Sequence, residues 1–127
     1  MMNNEIRSIV ESAWNERELL KDPKVQHAIR SVIKALDEGT LRIAEPVTDD
    51  WITHEWIKKA VILYFPVQNM ETTMAGPFEY HDKIPLKTDY EALGVRVVPP
   101  AVARYGSFIG KGVILMPSYV NIGAYID

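Results

Sequence analysis

The stretch Ala101–Asp127, AVARYGSFIGKGVILMPSYVNIGAYID, decides the fold class of this chain. A large apolar residue returns every six positions, at Val102, Phe108, Ile114, Val120 and Ile126. A small residue follows each of the first four by four positions, at Gly106, Gly112, Ser118 and Ala124. A helix repeats at about 3.6 residues and a strand at about 2. Two residue classes on one six-residue beat point instead to a parallel β-helix of hexapeptide repeats, with three hexads to a triangular coil. Residues eighteen apart then stack, so Val102 is predicted to lie against Val120 and Phe108 against Ile126, with all five apolar residues facing inward. The competing reading is an ordinary pair of strands with turns at Gly106, Gly110, Gly112 and Gly123, because short apolar runs are ambiguous by periodicity alone. The beat is still in phase at Asp127, after about one and a half coils, whereas a solenoid ordinarily needs about three repeats.

Upstream the pattern becomes helical. Ile6, Ile9, Val10, Ala13 and Trp14 form the stripe of an amphipathic helix capped by Asn3 or Asn4, with Glu11 and Glu16 on its wet face. Asp22-Pro23 starts a second helix through Val25, Ala28, Ile29, Val32, Ile33 and Leu36, and Gly39 stops it. Leu41 and Ile43 alternate with Arg42 in a short strand ending before Pro46, and Asp49-Asp50 make a turn. Thr53 is predicted to cap a third helix, HEWIKKAVILYF, apolar nearly all round, the most buried of the three, and ended by Pro66. Val67 to Thr88 has no sustained period and reads as a loop or two short strands. A helical turn from Asp89 to Leu93 closes on Gly94, and Val95–Val98 is a strand with Arg96 pointing away from Val95 and Val97. The expected class is therefore α+β, with a helical and mixed domain over residues 1–98 and the start of a hexapeptide-repeat β-helix over 99–127.

At 127 residues the chain has room for a core of its own. A formal net charge of −3 with both signs interspersed provides no basic stripe for nucleic acid. The longest apolar run, Ala60 to Val67, is far short of the ~20 residues that span a bilayer, and MMNNEIRS has no signal-peptide pattern. With zero cysteines there is no disulfide, thiolate metal ligand or thiol nucleophile in these residues. These features predict a cytoplasmic protein with neither nucleic-acid nor membrane partners.

Candidate chemistry is sparse. His27, His54 and His81 lack ligand spacing, and His54-Glu55 fails the zinc-protease pattern because Lys58 stands where the second histidine is needed, so no metal is predicted. Asp49 and Asp50 suit a turn, and Glu11, Glu16 and Glu18 a solvated helix face. Lys58 and Lys59 read as a solvated face rather than an anion site. Gly110 and Gly112 lack the strand-to-helix context of a phosphate loop. Arg96 remains the residue of interest, since an arginine on a strand where two domains meet can grip a carboxylate with its planar fork. The bland alternative is a structural ion pair.

The runs GTLRIAEP, WITHEWIKKAVILYF, DKIPLK and RVVPPAVARYGSFIGKGVILMPSYVNIGAYID resemble the N-terminal part of the 2,3,4,5-tetrahydropyridine-2,6-dicarboxylate N-succinyltransferases. The resemblance covers the chain from the first helix to Asp127 apart from Val67–Gly76, and RVVPP followed by MPSYVNIGAY is specific to this family among hexapeptide acyltransferases. It implies a homotrimer of left-handed β-helices in lysine and diaminopimelate biosynthesis, with active sites between subunits. The implied reaction is succinyl transfer from succinyl-CoA, a co-substrate rather than a bound cofactor, to the amino group of L-2-amino-6-oxopimelate. Arg96 in RVVPP takes the family's substrate-binding place, pairing a substrate carboxylate. The family's catalytic aspartate and CoA channel fall beyond Asp127, so the resemblance places no catalytic residue within these 127 residues, implies that they are inactive alone, and leaves the CoA-binding residues unassigned. The alternative is a non-catalytic module that assembles with, or caps, another β-helix protein; a small metal-dependent enzyme is a third.

Overall fold

Asp22, Pro23 and Gly39 do what their positions predict. In the computed structural model, which describes residues 4–127, α2 runs from Pro23 to Glu38. The Asp22 carboxylate accepts a hydrogen bond from the Lys24 backbone N–H at 2.9 Å, and Gly39 closes the helix in the left-handed region at φ 79°. All six predicted core positions of α2 are buried, with Ala35 in addition. α1 (Asn4–Asn15) presents its expected stripe to the same core. Asn4 is already helical, and a cap at Asn3 lies outside the described residues. A 3-10 turn, Arg17–Lys21, joins the two helices.

The third helix departs from expectation in three respects. α3 spans Glu55–Val67, with His54 rather than Thr53 at the cap position, because Thr53 is taken up by a strand. Pro66 sits inside the last turn instead of ending it, and that turn still closes through the Gln68 N–H on the carbonyls of Tyr64 and Phe65. Nor is α3 the most buried helix: it buries five residues and leaves Ile62 49% exposed, whereas α2 buries seven. The reason is position, since α2 packs against α1, α3 and also the strand at Phe108–Ile109. The strand expected at Leu41–Ile43, ending before Pro46, starts three residues later and runs through Pro46. β1 (Ala44–Val47) pairs antiparallel with β2 (Asp50–Thr53), and Pro46 is tolerated because a two-stranded ladder consists of edges. Leu41 and Ile43 pack instead against the helical core. In the weakly patterned region, two short strands form: β3 (Glu71–Ala75) and β4 (Phe78–Asp82) pair across Gly76-Pro77.

α4 (Tyr90–Leu93) closes on Gly94 at φ 71°, as read from the sequence. Six two-residue strands follow: β5 (Arg96–Val97), β6 (Val102–Ala103), β7 (Phe108–Ile109), β8 (Ile114–Leu115), β9 (Tyr119–Val120) and β10 (Tyr125–Ile126). Each of the first three pairs in parallel with the third strand after it, β5 with β8, β6 with β9 and β7 with β10. An antiparallel hairpin over 102–126 is thereby excluded.

The six-residue beat is real, but its face and phase differ from the sequence reading. Val102 pairs with Tyr119 and Phe108 with Tyr125, seventeen residues apart, while Arg96 pairs with Ile114 at eighteen. The interior is filled by Ala103, Ile109, Leu115 and Val120, with Val97 and Ile126 beside them. Ile114 is 53% exposed and points outward, as the neighbour of an inward Leu115 must. In each of the doublets 102–103, 108–109 and 114–115 both residues are apolar, so the beat could not tell which faces in. The corner Met116–Ser118 is also one residue short, tightened by Pro117 and by the Ser118 hydroxyl donating to the Met116 carbonyl at 2.6 Å. The positive-φ glycines record the same slip, falling at 106, 112 and 123.

Ile122 and Tyr105 of the strand region pack into the helical core, and two further joints between the cores stand out. At the first, Phe108 leaves the strand interior to Ile109 and covers the end of α2, where a Cβ on Gly39 would come within 2.5 Å of its ring. At the second, Lys87 is almost wholly buried and its ammonium donates to the Asp37 carboxylate (2.8 Å), the Asp37 carbonyl (3.2 Å) and the Ser107 carbonyl (2.8 Å). Asp37 lies in the last turn of α2, the unfavourable end of the helix dipole for a carboxylate. Lys87 and the Gly106 N–H, which donates to the same oxygen at 2.9 Å, offset that. The segment carrying Lys87 also bridges to β6 through Leu86 and Arg104, and the Lys87 N–H donates to the Ala103 carbonyl.

Candidate functional site

Strand alternation places Arg96. Val95 is buried and Val97 half-buried in the strand core, so the side chain between them faces out. The backbone beneath it is held firmly: the Arg96 N–H donates to the Val113 carbonyl at 3.0 Å, the Val98 N–H to the Leu115 carbonyl at 2.9 Å, and the Val95 N–H to the Tyr90 carbonyl at 2.9 Å. The guanidinium itself is exposed and has no hydrogen-bond or ion-pair partner among the described residues. Beside it on the same outward face stands Ile114, and Met116 and Tyr119 are also exposed. A cation on a fixed strand with its five N–H donors unspent can take a carboxylate edge-on.

The remaining candidates resolve into local structure. The His54 imidazole Nε2 lies 2.9 Å from Glu45 Oε1, and His81 Nδ1 lies 2.8 Å from the Thr72 hydroxyl. His27 is exposed on α2. Among the described residues no group of three metal-ligating side chains comes together. The turn expected at Asp49-Asp50 falls at Thr48-Asp49, and Asp50 opens β2, its carboxylate accepting from the Trp51 N–H at 2.7 Å. Lys58 pairs with Glu55 at 3.5 Å on the surface. Lys59 and Glu11 correct the solvated-face reading: they form a half-buried pair at 2.7 Å that ties α3 to α1, with the ammonium 5.7 Å from the Trp14 ring centre.

Three clusters escaped the sequence reading. The Lys87–Asp37–Ser107 joint is one; its only trace was a lysine ending DKIPLK and an acid in the last turn of a helix. In the second, Arg104 donates to Asp82 at 2.9 Å and to Asn121 at 3.3 Å. Burial pushes the Asp82 carboxyl up, but the N–H of Lys83, the Arg104 charge and hydrogen bond, and the N–H of Ile84 outweigh it, leaving the carboxyl below its ordinary range. The third centres on Arg42, whose Nε donates to the Ala44 carbonyl at 3.0 Å and whose guanidinium carbon lies 3.8 Å from the Tyr125 ring centre and 5.9 Å from that of Trp51. Arg42 lines two concavities, of about 340 and 330 Å³, and neither includes Arg96. Three tyrosines, Tyr64, Tyr90 and Tyr105, are held above their ordinary pKa, first by burial; the Asp37 charge adds to it for Tyr90 and Tyr105, while Arg30 opposes it at Tyr64.

A helical core joined to short parallel strand pairs, with an unspent arginine on the first strand, is the setting in which the sequence relationships fall. Residues 5–67 match the family described as Tetrahydrodipicolinate N-succinyltransferase N-terminal. Curated relatives from Burkholderia cenocepacia (strain HI2424), Burkholderia vietnamiensis (strain G4 / LMG 22486) and Burkholderia multivorans (strain ATCC 17616 / 249), each called 2,3,4,5-tetrahydropyridine-2,6-dicarboxylate N-succinyltransferase, are 44% identical over 99% of this chain and 50% of their own length. The chain belongs to the tetrahydrodipicolinate N-succinyltransferase family. It spans about half the length of the curated relatives it matches.

Proposed function

We propose that this chain is the part of a CoA-dependent N-succinyltransferase that holds the amino-dicarboxylate. The transfer is from succinyl-CoA to the amino group of L-2-amino-6-oxopimelate in lysine and diaminopimelate biosynthesis, in the cytoplasm. The observation that carries the reading is the Arg96 guanidinium, rigidly based on β5 and free of protein partners among the described residues. In the reaction the amine nitrogen attacks the thioester carbonyl, a C–N bond forms, the C–S bond breaks and CoA leaves as the thiol while a base takes the amine proton. Arg96 contributes position: a bidentate pair with a substrate carboxylate fixes the amine's distance and direction, which is where much of the rate of such a step originates. No covalent intermediate on the protein is needed, in keeping with a sequence of zero cysteines.

The three parallel strand pairs with their seventeen- and eighteen-residue registers support a further part of this reading. They are the first turns of a left-handed parallel β-helix, with residues 1–98 as the preceding domain and the whole enzyme a homotrimer. On this reading the amine-proton base and the CoA-binding coils belong to the part of the relatives that these residues do not span, and residues 1–127 alone release no thiol from succinyl-CoA.

The test uses a chain spanning the relatives' full length. Arg96→Ala should raise the KM for the amino-dicarboxylate far more than that for succinyl-CoA, by roughly 2–4 kcal/mol of binding. Equal effects on both substrates, or none, would overturn the role of Arg96.

A further inference from the structure

The described chain has two half-buried arginines, and they differ in one respect. Arg104 is neutralised by Asp82 at 2.9 Å. Among the described residues Arg42 has no carboxylate partner, one of its five N–H groups, at Nε, is spent on the Ala44 carbonyl, and the four terminal ones have no acceptor. Glu45, the nearest acid along β1, is engaged with His54 at 2.9 Å. A cation partly removed from water without a counter-ion is an unfavourable arrangement unless an anion completes it.

The surroundings specify more than a charge. Arg42 lines a cavity of about 340 Å³ with Trp51, Tyr125, Ile122, Gly123 and Ala44, a volume at the lower end of those that hold small ligands. Its guanidinium lies against the Tyr125 ring at 3.8 Å, and Trp51, 61% exposed, stands 5.9 Å away on the hairpin. Contact with aromatic rings uses the π face of the guanidinium and leaves its N–H edge available. Gly123, φ +89°, lies so close to the Ile43 side chain that a Cβ there would meet its Cδ1 at 2.6 Å, so these two lining residues pack directly against each other. A carboxylate bound bidentate is coplanar with the guanidinium. A flat ring conjugated to that carboxylate continues the same plane along the aromatic walls, and a puckered ring does not.

We propose that the cavity between the β1–β2 hairpin and β10 is a binding site for a small planar ring carboxylate, with Arg42 taking the carboxylate and Trp51 and Tyr125 the ring. The site is separate from Arg96 and does not depend on the transferase reading.

Benzoate is the probe, titrated calorimetrically into the 127-residue chain, with cyclohexanecarboxylate and inorganic phosphate as the puckered and ringless comparisons. Benzoate should occupy one site per chain. Arg42→Gln should weaken it by at least about tenfold, the loss of a charge-assisted pair. Trp51→Leu should weaken it by about two- to tenfold, as removal of one ring contact does, and should leave phosphate unchanged. Trp51 is exposed, so that variant keeps the fold; if Arg42→Gln fails to fold, Arg42→Lys, which keeps the charge and loses the fork, takes its place with the same direction of effect. Absence of saturable benzoate binding overturns the proposal. So does equal affinity for cyclohexanecarboxylate or phosphate, which would make the cavity a plain anion site, and so does benzoate binding unmoved by the Arg42 and Trp51 substitutions.

Discussion

The helical core and the strand core answer to pattern in different ways. In α2 the apolar residues gather on one helical face and the opposite face is polar, with Lys24, His27, Arg30, Ser31 and Lys34, so period and face are the same information, and every predicted position is buried. Along β6 to β10 the period is as regular, yet an apolar residue occupies both positions of several doublets: at β6, β7 and β8 the interior is filled by Ala103, Ile109 and Leu115, the neighbours of the residues the beat picked out, whereas Val120 and Ile126 face in as the beat expects. Periodicity assigns a face only where the other face is polar. Where both faces are apolar, as at Ile114 and Leu115, the face is settled by what lies above and below.

Breaking the connection between the two cores should have the largest effect. Lys87→Ala leaves the Asp37 carboxylate and two carbonyls without the ammonium that serves them, and loss of one partner of a buried pair costs roughly 3–5 kcal/mol. Urea unfolding followed separately by tryptophan fluorescence and circular dichroism measures it; a loss below about 1 kcal/mol would mean the cores are coupled elsewhere.

The corrected phase of the strand core comes next. Leu115→Ala should destabilise by about 2–4 kcal/mol and Ile114→Ala by less than about 1 kcal/mol, since only the first leaves a cavity. The reverse order would restore the phase expected from the six-residue beat.

Alkaline pH distinguishes the cores by their tyrosines. The folded pKa values of Tyr64, Tyr90 and Tyr105 lie above the unfolded 10.0, so the stability they confer is complete below that pH and is lost as pH rises through the folded values. Phenolate absorbance should show these three tyrosines ionising above their ordinary range, coincident with loss of tertiary signal. A single ordinary titration of all six with the fold intact would contradict the burial.

The smallest effect is expected at Asp82. Its folded pKa is depressed, so its contribution is present above the unfolded value of 3.8 and is lost as pH falls through the folded one. The pair with Arg104 is 42% exposed on the acid side and should contribute about 1 kcal/mol or less. Asp82→Asn should flatten the acid limb of the stability curve by that amount, and a wild-type acid limb in the variant would assign it to other carboxylates.

Local order decided much of this protein from the chain alone. The caps at Asp22 and Gly39, the stripe of α2, the turn at Gly94, the outward placement of Arg96 and the six-residue beat all depend on residues within a few positions of one another, and those interactions survive whatever the rest of the chain does. Tertiary structure alone decided the rest. Lys87 meets Asp37 across fifty residues, and Arg42 meets Tyr125 across eighty-three, so no local pattern marks either pair. Before the corner at Met116–Ser118 the interior takes Ala103, Ile109 and Leu115 rather than Val102, Phe108 and Ile114; the one residue missing from that corner shifts the register from eighteen to seventeen and brings Val120 and Ile126 to the same interior. A one-residue slip is invisible to a count of apolar residues, but it becomes decisive once side chains must stack within a closed interior, because in a strand each step turns the side chain to the opposite face.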